Sequence, residues 1–426
     1  MTDQTATHAL PGSRDIFVRD LPNGITVYVR ENFAAESVVM AGYLEAGSVF
    51  DPPAQSGLAD FVASALMRGT QRRTFDQLYE TLDGLAARLG FSSGINTLSF
   101  SGKCLAEDLP TLLEIAADVL MHPAFPDDQT ERLRGESLTG LKVAAQNSRL
   151  VASENATRFL YPAGHPNSFS LAEETETVRT LRLDDLRAFH ARHYGARAMK
   201  LVIVGAVKGE DAVRFVEDAL GAWANPDQPA LPLIPRAEPI VAIQERVTAL
   251  PGKTQTDVVM AWVGPERAAP DYTAASLANN ILGVFGMMGR IGKVIREREG
   301  FAYYANSRLG ASHVQTPWVV TTGVAPQNVR AAVSLMQAEV ARFCDEPIRV
   351  EELADSQANY TGRLPLALEG NEGVATMILT MLSHNLGLDY LYGYAERVNA
   401  ITPEEASAAA RHYLNPNAYV LGIAGA

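Results

Sequence analysis

In "RDIFVRDLPNGITVYVRE", from Arg14, two runs of alternating apolar and polar residues meet at Asn23-Gly24, the strongest short hairpin signal, so two paired strands are predicted. "SVVMAGYLEAGS", from Ser37, reads as a further strand. The period then lengthens. "SGLADFVASALMR" from Ser56 and "FDQLYETLDGLAARLG" from Phe75 carry apolar residues at helical spacing, and strand-like "NTLSFSGKCL" is followed by the helical "LPTLLEIAADVLMH". Strands arriving as hairpins with helices in blocks predict an α+β fold: a mainly antiparallel sheet covered by helices on one side, rather than a doubly wound parallel sheet.

The pattern occurs twice. Val-Val-Met-Ala begins at Val38 and again at Val258, and "ARHYGARAMKLVIVGA" from Ala191 is matched by "ARHYLNPNAYVLGIAGA" from Ala410, at nearly the same offset and in the same order. Duplication of a unit of about 200 residues, far longer than solenoid repeats, predicts two homologous halves of one fold. Between them "NPDQPALPLIPRAEP" holds five prolines, which favour an extended connector. The predicted organisation is an N-terminal half over 1–224, a linker over 225–239 and a C-terminal half over 240–426.

Bulk composition narrows the function classes. The 426 residues are 47% hydrophobic and 20% charged, with no apolar run long enough to cross a bilayer, as in a soluble globular protein. Thirty-six basic against 49 acidic side chains give a net charge of −13 without a Lys/Arg cluster, which argues against a nucleic-acid partner. Cys104 and Cys344 form no cysteine framework and read as buried apolar residues. "MTDQTATHALPGSRD" lacks the basic and apolar regions of a secretion signal, so the expected compartment is the cytoplasm, or the periplasm if a leader was removed.

"LPNGITVYV", "VVMAGYLEAGS", "SGLADFVASALMRGT", the His165-Pro166 pair and the duplication together resemble the insulinase-type, or pitrilysin, family of inverted-motif zinc peptidases, which includes the mitochondrial processing peptidases. The resemblance covers nearly the whole chain. In that family the segment from Ser56 carries H-x-x-E-H, whose histidines, one helical turn apart, hold zinc while the glutamate is the general base. Here Asp60, Ala63 and Ser64 stand at those places. Alanine has no group to ligate or protonate, and a neutral serine hydroxyl is a poor zinc ligand. By the family's spacing the third ligand falls near Thr139-Gly140, where no carboxylate stands; Glu136 is one turn earlier. No metal is expected at this site. His190 and His193 in "HARH" are three apart on a predicted helix and could chelate. Ordinary solvated or core histidines are the simpler reading, because the second half repeats only His412.

"GVFGMMGRIGKVIREREGFAYYANSRLG", from Gly283, is not a phosphate loop, since Lys293 is followed by Val294 and Met287 stands where a glycine is needed. A helix is predicted over about Arg290–Glu299, terminated by Gly300, with a strand from Phe301. The stretch resembles the family's second signature, an arginine followed seven residues later by a tyrosine. Carried over, Arg296 would hold substrate backbone or carboxylate and Tyr303 would donate to the scissile carbonyl. Tyr304 points to the opposite face, and the spacing favours Tyr303.

The resemblance therefore implies an uncertain enzyme. This chain would be inactive alone, the zinc-free subunit of a heterodimeric metallopeptidase whose homologous partner brings the zinc, acting on peptides or unfolded protein. The alternative it implies is a non-catalytic scaffold or peptide-binding paralogue.

Overall fold

The computed structural model describes residues 10–168 and 170–426, apart from the side chains of residues 287 and 288. Residues 1–9, which hold much of the segment read for a leader, lie outside the described residues. The first sheet comprises β1 (Phe17–Asp20), β2 (Thr26–Glu31), β3 (Ser37–Leu44), β4 (Arg88–Ser93), β5 (Leu98–Leu105) and β6 (Lys200–Gly205). The second comprises β7 (Gln244–Ala249), β8 (Thr256–Val263), β9 (Ala302–Leu309), β10 (Pro317–Val324) and β11 (Val420–Gly425).

Strand order is β1-β2-β6-β3-β5-β4 in the first sheet and β7-β11-β8-β10-β9 in the second. Without β1 the two orders are the same, with one parallel pair in each, β2 with β6 and β11 with β7, and every other pair antiparallel. The repeated Val-Val-Met-Ala blocks sit on the equivalent central strands β3 and β8. The duplication read from the sequence is thus a duplication of topology.

Two compact units result, one of residues up to Glu136 with Thr177–Pro232 and Leu364–Tyr394, the other of Ser137–Glu176, Leu233–Arg363 and Ala395–Ala426. Each unit takes its sheet from one half of the sequence and a helical segment from the other. In the first, α3 (Leu109–Met121) lies on one face, where Leu112 and Met40 approach Gly102, while the helix Asn371–Ser383 sets Val374, Ala375, Ile378 and Met381 against Val39, Ala41, Val202 and Val204 on the other. In the second, α5 (Ser148–Leu160) packs Val151, Ala152 and Ala156 against Val259, Ala261, Val420 and Ala424. This contact is close. A Cβ on Gly422 would fall 2.0 Å from the Ala152 carbonyl oxygen, and Asn155 Nδ2 donates to the Ile423 carbonyl at 2.9 Å. Apolar cover on both faces explains why the central strands read as continuous apolar runs.

The hairpin turn follows its sequence, with Gly24 at φ 99° between β1 and β2. One prediction fails locally. The helix expected over 75–90 is α2 (Phe75–Gly84), and its last residues become the edge strand β4, paired with β5 from Arg88 opposite Lys103. Ala86 at φ 48° breaks the helical path, and the ladder with β5 overrides the local pattern.

Candidate functional site

The helix on which the sequence resemblance places the zinc motif is α1 (Leu58–Ala65), in the first unit. Asp51 closes its N-terminus by accepting from Gly57 N–H and Ala59 N–H, both at 2.8 Å. Desolvation raises the Asp51 carboxyl to about 6, against the lowering effect of those two bonds. Ala59, Phe61, Val62, Ala65 and Leu66 are all buried, as the apolar periodicity requires. At the three motif positions, Asp60 and Ser64 share the exposed face and Ala63 is only 2% exposed. Partial desolvation raises the Asp60 carboxyl. The donor set does not fit zinc, because a single carboxylate and a neutral hydroxyl are all that the helix offers.

Neighbouring groups add no ligand. Glu136 is held by Arg68 and by Arg132 at 3.1 Å, and the Arg68 bond, the larger cause, keeps its carboxyl below the usual range. Gly140 is exposed on α4 (Asp127–Ala144), with no atom near the place of a Cβ. His190 points its Nε2 at the Leu120 carbonyl at 2.8 Å, and buried His193 stacks on Phe50 at 4.5 Å, its pKa pushed down to about 4 by desolvation. These two are packing histidines. Among the described residues no group of three or more His, Cys, Asp or Glu side chains is placed to hold a metal ion. The Gly69-Thr70 pair after α1 is structural: Gly69 has φ 138°, and Thr70 Oγ1 donates to buried Asp118 at 2.7 Å, an acceptor that Arg73 also reaches at 2.8 Å.

The second candidate region lies wholly in the second unit. The helix Phe285–Gly292 continues into a π-helical turn, Lys293–Arg298, in place of the uniform helix expected from the sequence. Such widened turns recur at functional sites. The turn is closed by Glu299 N–H donating to the Val294 carbonyl at 3.3 Å and Phe301 N–H to the Ile295 carbonyl at 3.0 Å, with Gly300 at φ 66° between them. The chain then enters β9, and Arg296 Cζ lies 5.7 Å from the centre of the Tyr303 ring. Tyr303 is 86% exposed. The structure thus brings together the two residues singled out in this segment, across the turn that Gly300 permits.

Tyr304 is engaged elsewhere. Its hydroxyl donates to Asp257 Oδ1, and the Arg149 guanidinium lies 3.9 Å over its ring. Burial and the Asp257 carboxylate both push its pKa up. Asp257, itself buried, also accepts from Ser148 Oγ and from Gln255 Nε2 at 3.3 Å. Sequence reasoning missed this cluster, because its members lie on three separate elements. His165 is likewise structural, with Nε2 at 3.1 Å from the Pro235 carbonyl and its ring stacked on Tyr161 at 4.5 Å.

Comparison with known proteins places the fold. Residues 26–167 match the model of the insulinase, or M16, peptidase family and residues 180–360 that of the peptidase M16 inactive domain. The chain belongs to the M16 peptidase family. It is 22% identical over 413 residues to an uncharacterised zinc protease of Streptomyces coelicolor, an alignment covering 94% of this chain and 88% of that one. It is similar to mitochondrial-processing peptidase subunit beta of Caenorhabditis elegans, 24% identical over 65% of this chain, and to cytochrome b-c1 complex subunit 1 of Rattus norvegicus, 27% identical over 66%. These alignments span 59% and 58% of the two mitochondrial proteins. A crystal structure described as a peptidase M16 inactive domain, from Pseudomonas fluorescens, superposes with a TM-score of 0.88 and 25% identity over 96% of this chain and 97% of that one. No helix among the described residues is long and apolar enough to cross a membrane.

Proposed function

We propose that this chain is the zinc-free subunit of a heterodimeric metallopeptidase and lends Arg296 and Tyr303 to an active centre whose metal is held by a homologous partner. The supporting observation is the pair itself: an 86% exposed tyrosine with an arginine 5.7 Å from its ring centre, on a turn that glycine and π-geometry hold in place. Arg296 would bind substrate backbone carbonyl or carboxylate oxygens by charge-assisted hydrogen bonds. Tyr303 would donate its hydroxyl to the scissile carbonyl oxygen as negative charge develops there. The partner's zinc would supply an ionised water as nucleophile. Substrates would be peptides or unfolded protein segments. Membership of a peptidase family and similarity to a processing-peptidase subunit support the reaction class.

The second reading, a non-catalytic scaffold, is favoured by the likeness to cytochrome b-c1 complex subunit 1. Zinc analysis and peptide hydrolysis, measured on the chain alone and after co-production with a homologous subunit bearing H-x-x-E-H, test the proposal. The isolated chain should hold no stoichiometric zinc and cleave nothing, and the pair should cleave. Stoichiometric zinc and hydrolysis by the chain alone would overturn the proposal, and an assembled but inactive pair would favour the scaffold.

A further inference from the structure

The π-turn that carries Arg296 also forms one wall of a separate cavity. Arg290, Lys293, Val294 and Arg298 from this segment meet Arg342, Glu346, Pro347, Arg349 and Glu352 around a space of about 430 Å³. That volume falls within the usual range for small-molecule sites. Five of the nine lining residues are cationic and two are anionic, in a chain whose net charge is −13. Positive charge is therefore concentrated here against the sign of the molecule as a whole.

Internal pairing leaves part of that charge unused. Glu352 is shared by Arg290, at 2.6 Å, and Arg349, at 3.1 Å, while Arg342 is held by Glu339 at 2.7 Å. Arg290 is 8% exposed and rests on Phe343, so it forms a fixed, buried floor. Lys293 and Arg298 are exposed, and among the described residues their side chains make no hydrogen bond or ion pair. Glu346 is the single lining carboxylate without such a partner. Two unpaired cations and three paired arginines around one concave space suit an oxygen-rich anion better than an apolar ligand.

We propose that this cavity binds a small oxyanion of at least two negative charges, bearing phosphate or carboxylate groups, with Lys293 and Arg298 as its principal contacts. The site does not depend on the peptidase reading, because Arg296 and Tyr303 do not line it. Isothermal titration of the full chain with inorganic pyrophosphate, and separately with citrate, at about 0.15 M salt tests it. Saturable binding of at least one probe is expected, weakened about tenfold or more in K293Q/R298Q. The probe that binds more tightly identifies the anionic group. Glu346→Gln, which removes the unpaired carboxylate, should tighten binding, and Arg308→Gln, an exposed cation on β9 outside the cavity, should leave it unchanged. No saturable binding of either probe, equal affinity in K293Q/R298Q, or equal weakening in R308Q would overturn the proposal. Should K293Q/R298Q fail to fold, E346Q decides: tighter binding supports the site, and unchanged or weaker binding contradicts it.

Discussion

Helix α1 and the segment from Phe285 to Leu309 correspond to the two signatures of the resemblance, and they differ in what their exposed residues offer. In α1 the packing face is intact, with Ala59, Phe61, Val62, Ala65 and Leu66 all buried, while the three motif positions hold no histidine and Ala63 stands at the place of the base. The 285–309 segment keeps a widened turn, a glycine at positive φ and an exposed tyrosine beside an arginine, features that packing alone does not require. A helix can survive as architecture once its chemistry is gone, because burial supports it independently of the exposed face. An exposed aromatic on an irregular turn has no such support.

The largest stability effect that would sharpen this contrast comes from restoring the missing base. Ala63→Glu places a carboxylate at a position 2% exposed and should cost about 2–4 kcal/mol in urea unfolding, whereas Ser64→His, on the exposed face, should stay within about 0.5 kcal/mol. A neutral Ala63→Glu would mean that α1 is still built to hold a general base. Next comes the cluster under β9. Asp257→Ala strips the acceptor from Tyr304 and Ser148 and should cost about 1–3 kcal/mol, while Tyr303→Phe should leave stability unchanged, as measured by the same unfolding curves. If the two variants destabilised equally, Tyr303 would be a packing residue.

Gly300→Ala is expected to cost about 1 kcal/mol, since φ 66° is strained for any side chain, and circular dichroism melting would read it. A further effect is a matter of pH. The Asp51 carboxyl titrates at about 6 in the folded chain against 3.8 unfolded, so the folded state binds more protons in that window, and its contribution to stability falls as pH rises from 3.8 to about 6. Relative to wild type, Asp51→Asn should therefore gain stability over that interval and change no further above it. A difference that is flat with pH would show that Asp51 titrates normally.

Much of this arrangement was legible in the sequence. The hairpin at Asn23-Gly24, the repeated strands β3 and β8 and the buried face of α1 all follow from local pattern, whereas the Arg296/Tyr303 pair was singled out through the family resemblance. The exchange of α5 and the Asn371–Ser383 helix between sequence halves was not legible there. In α5 the sheet is met by Ala152, Asn155 and Ala156, small or polar residues whose fit depends on Gly422 lying opposite, and that information is 270 residues away. The π-turn also escaped, because a one-residue widening barely disturbs helical periodicity. Tyr303 and Tyr304 could be assigned to opposite faces, but only Asp257 and Arg149 show which of the two is tied down.

The most direct test is the turnover number of the assembled complex, this chain with a homologous H-x-x-E-H subunit, on an unfolded peptide before and after Tyr303→Phe. Loss of one donor to the developing oxyanion predicts a fall in kcat of about 100- to 1000-fold with assembly intact. An assembled complex with unchanged kcat would show that Tyr303 takes no part in the chemistry.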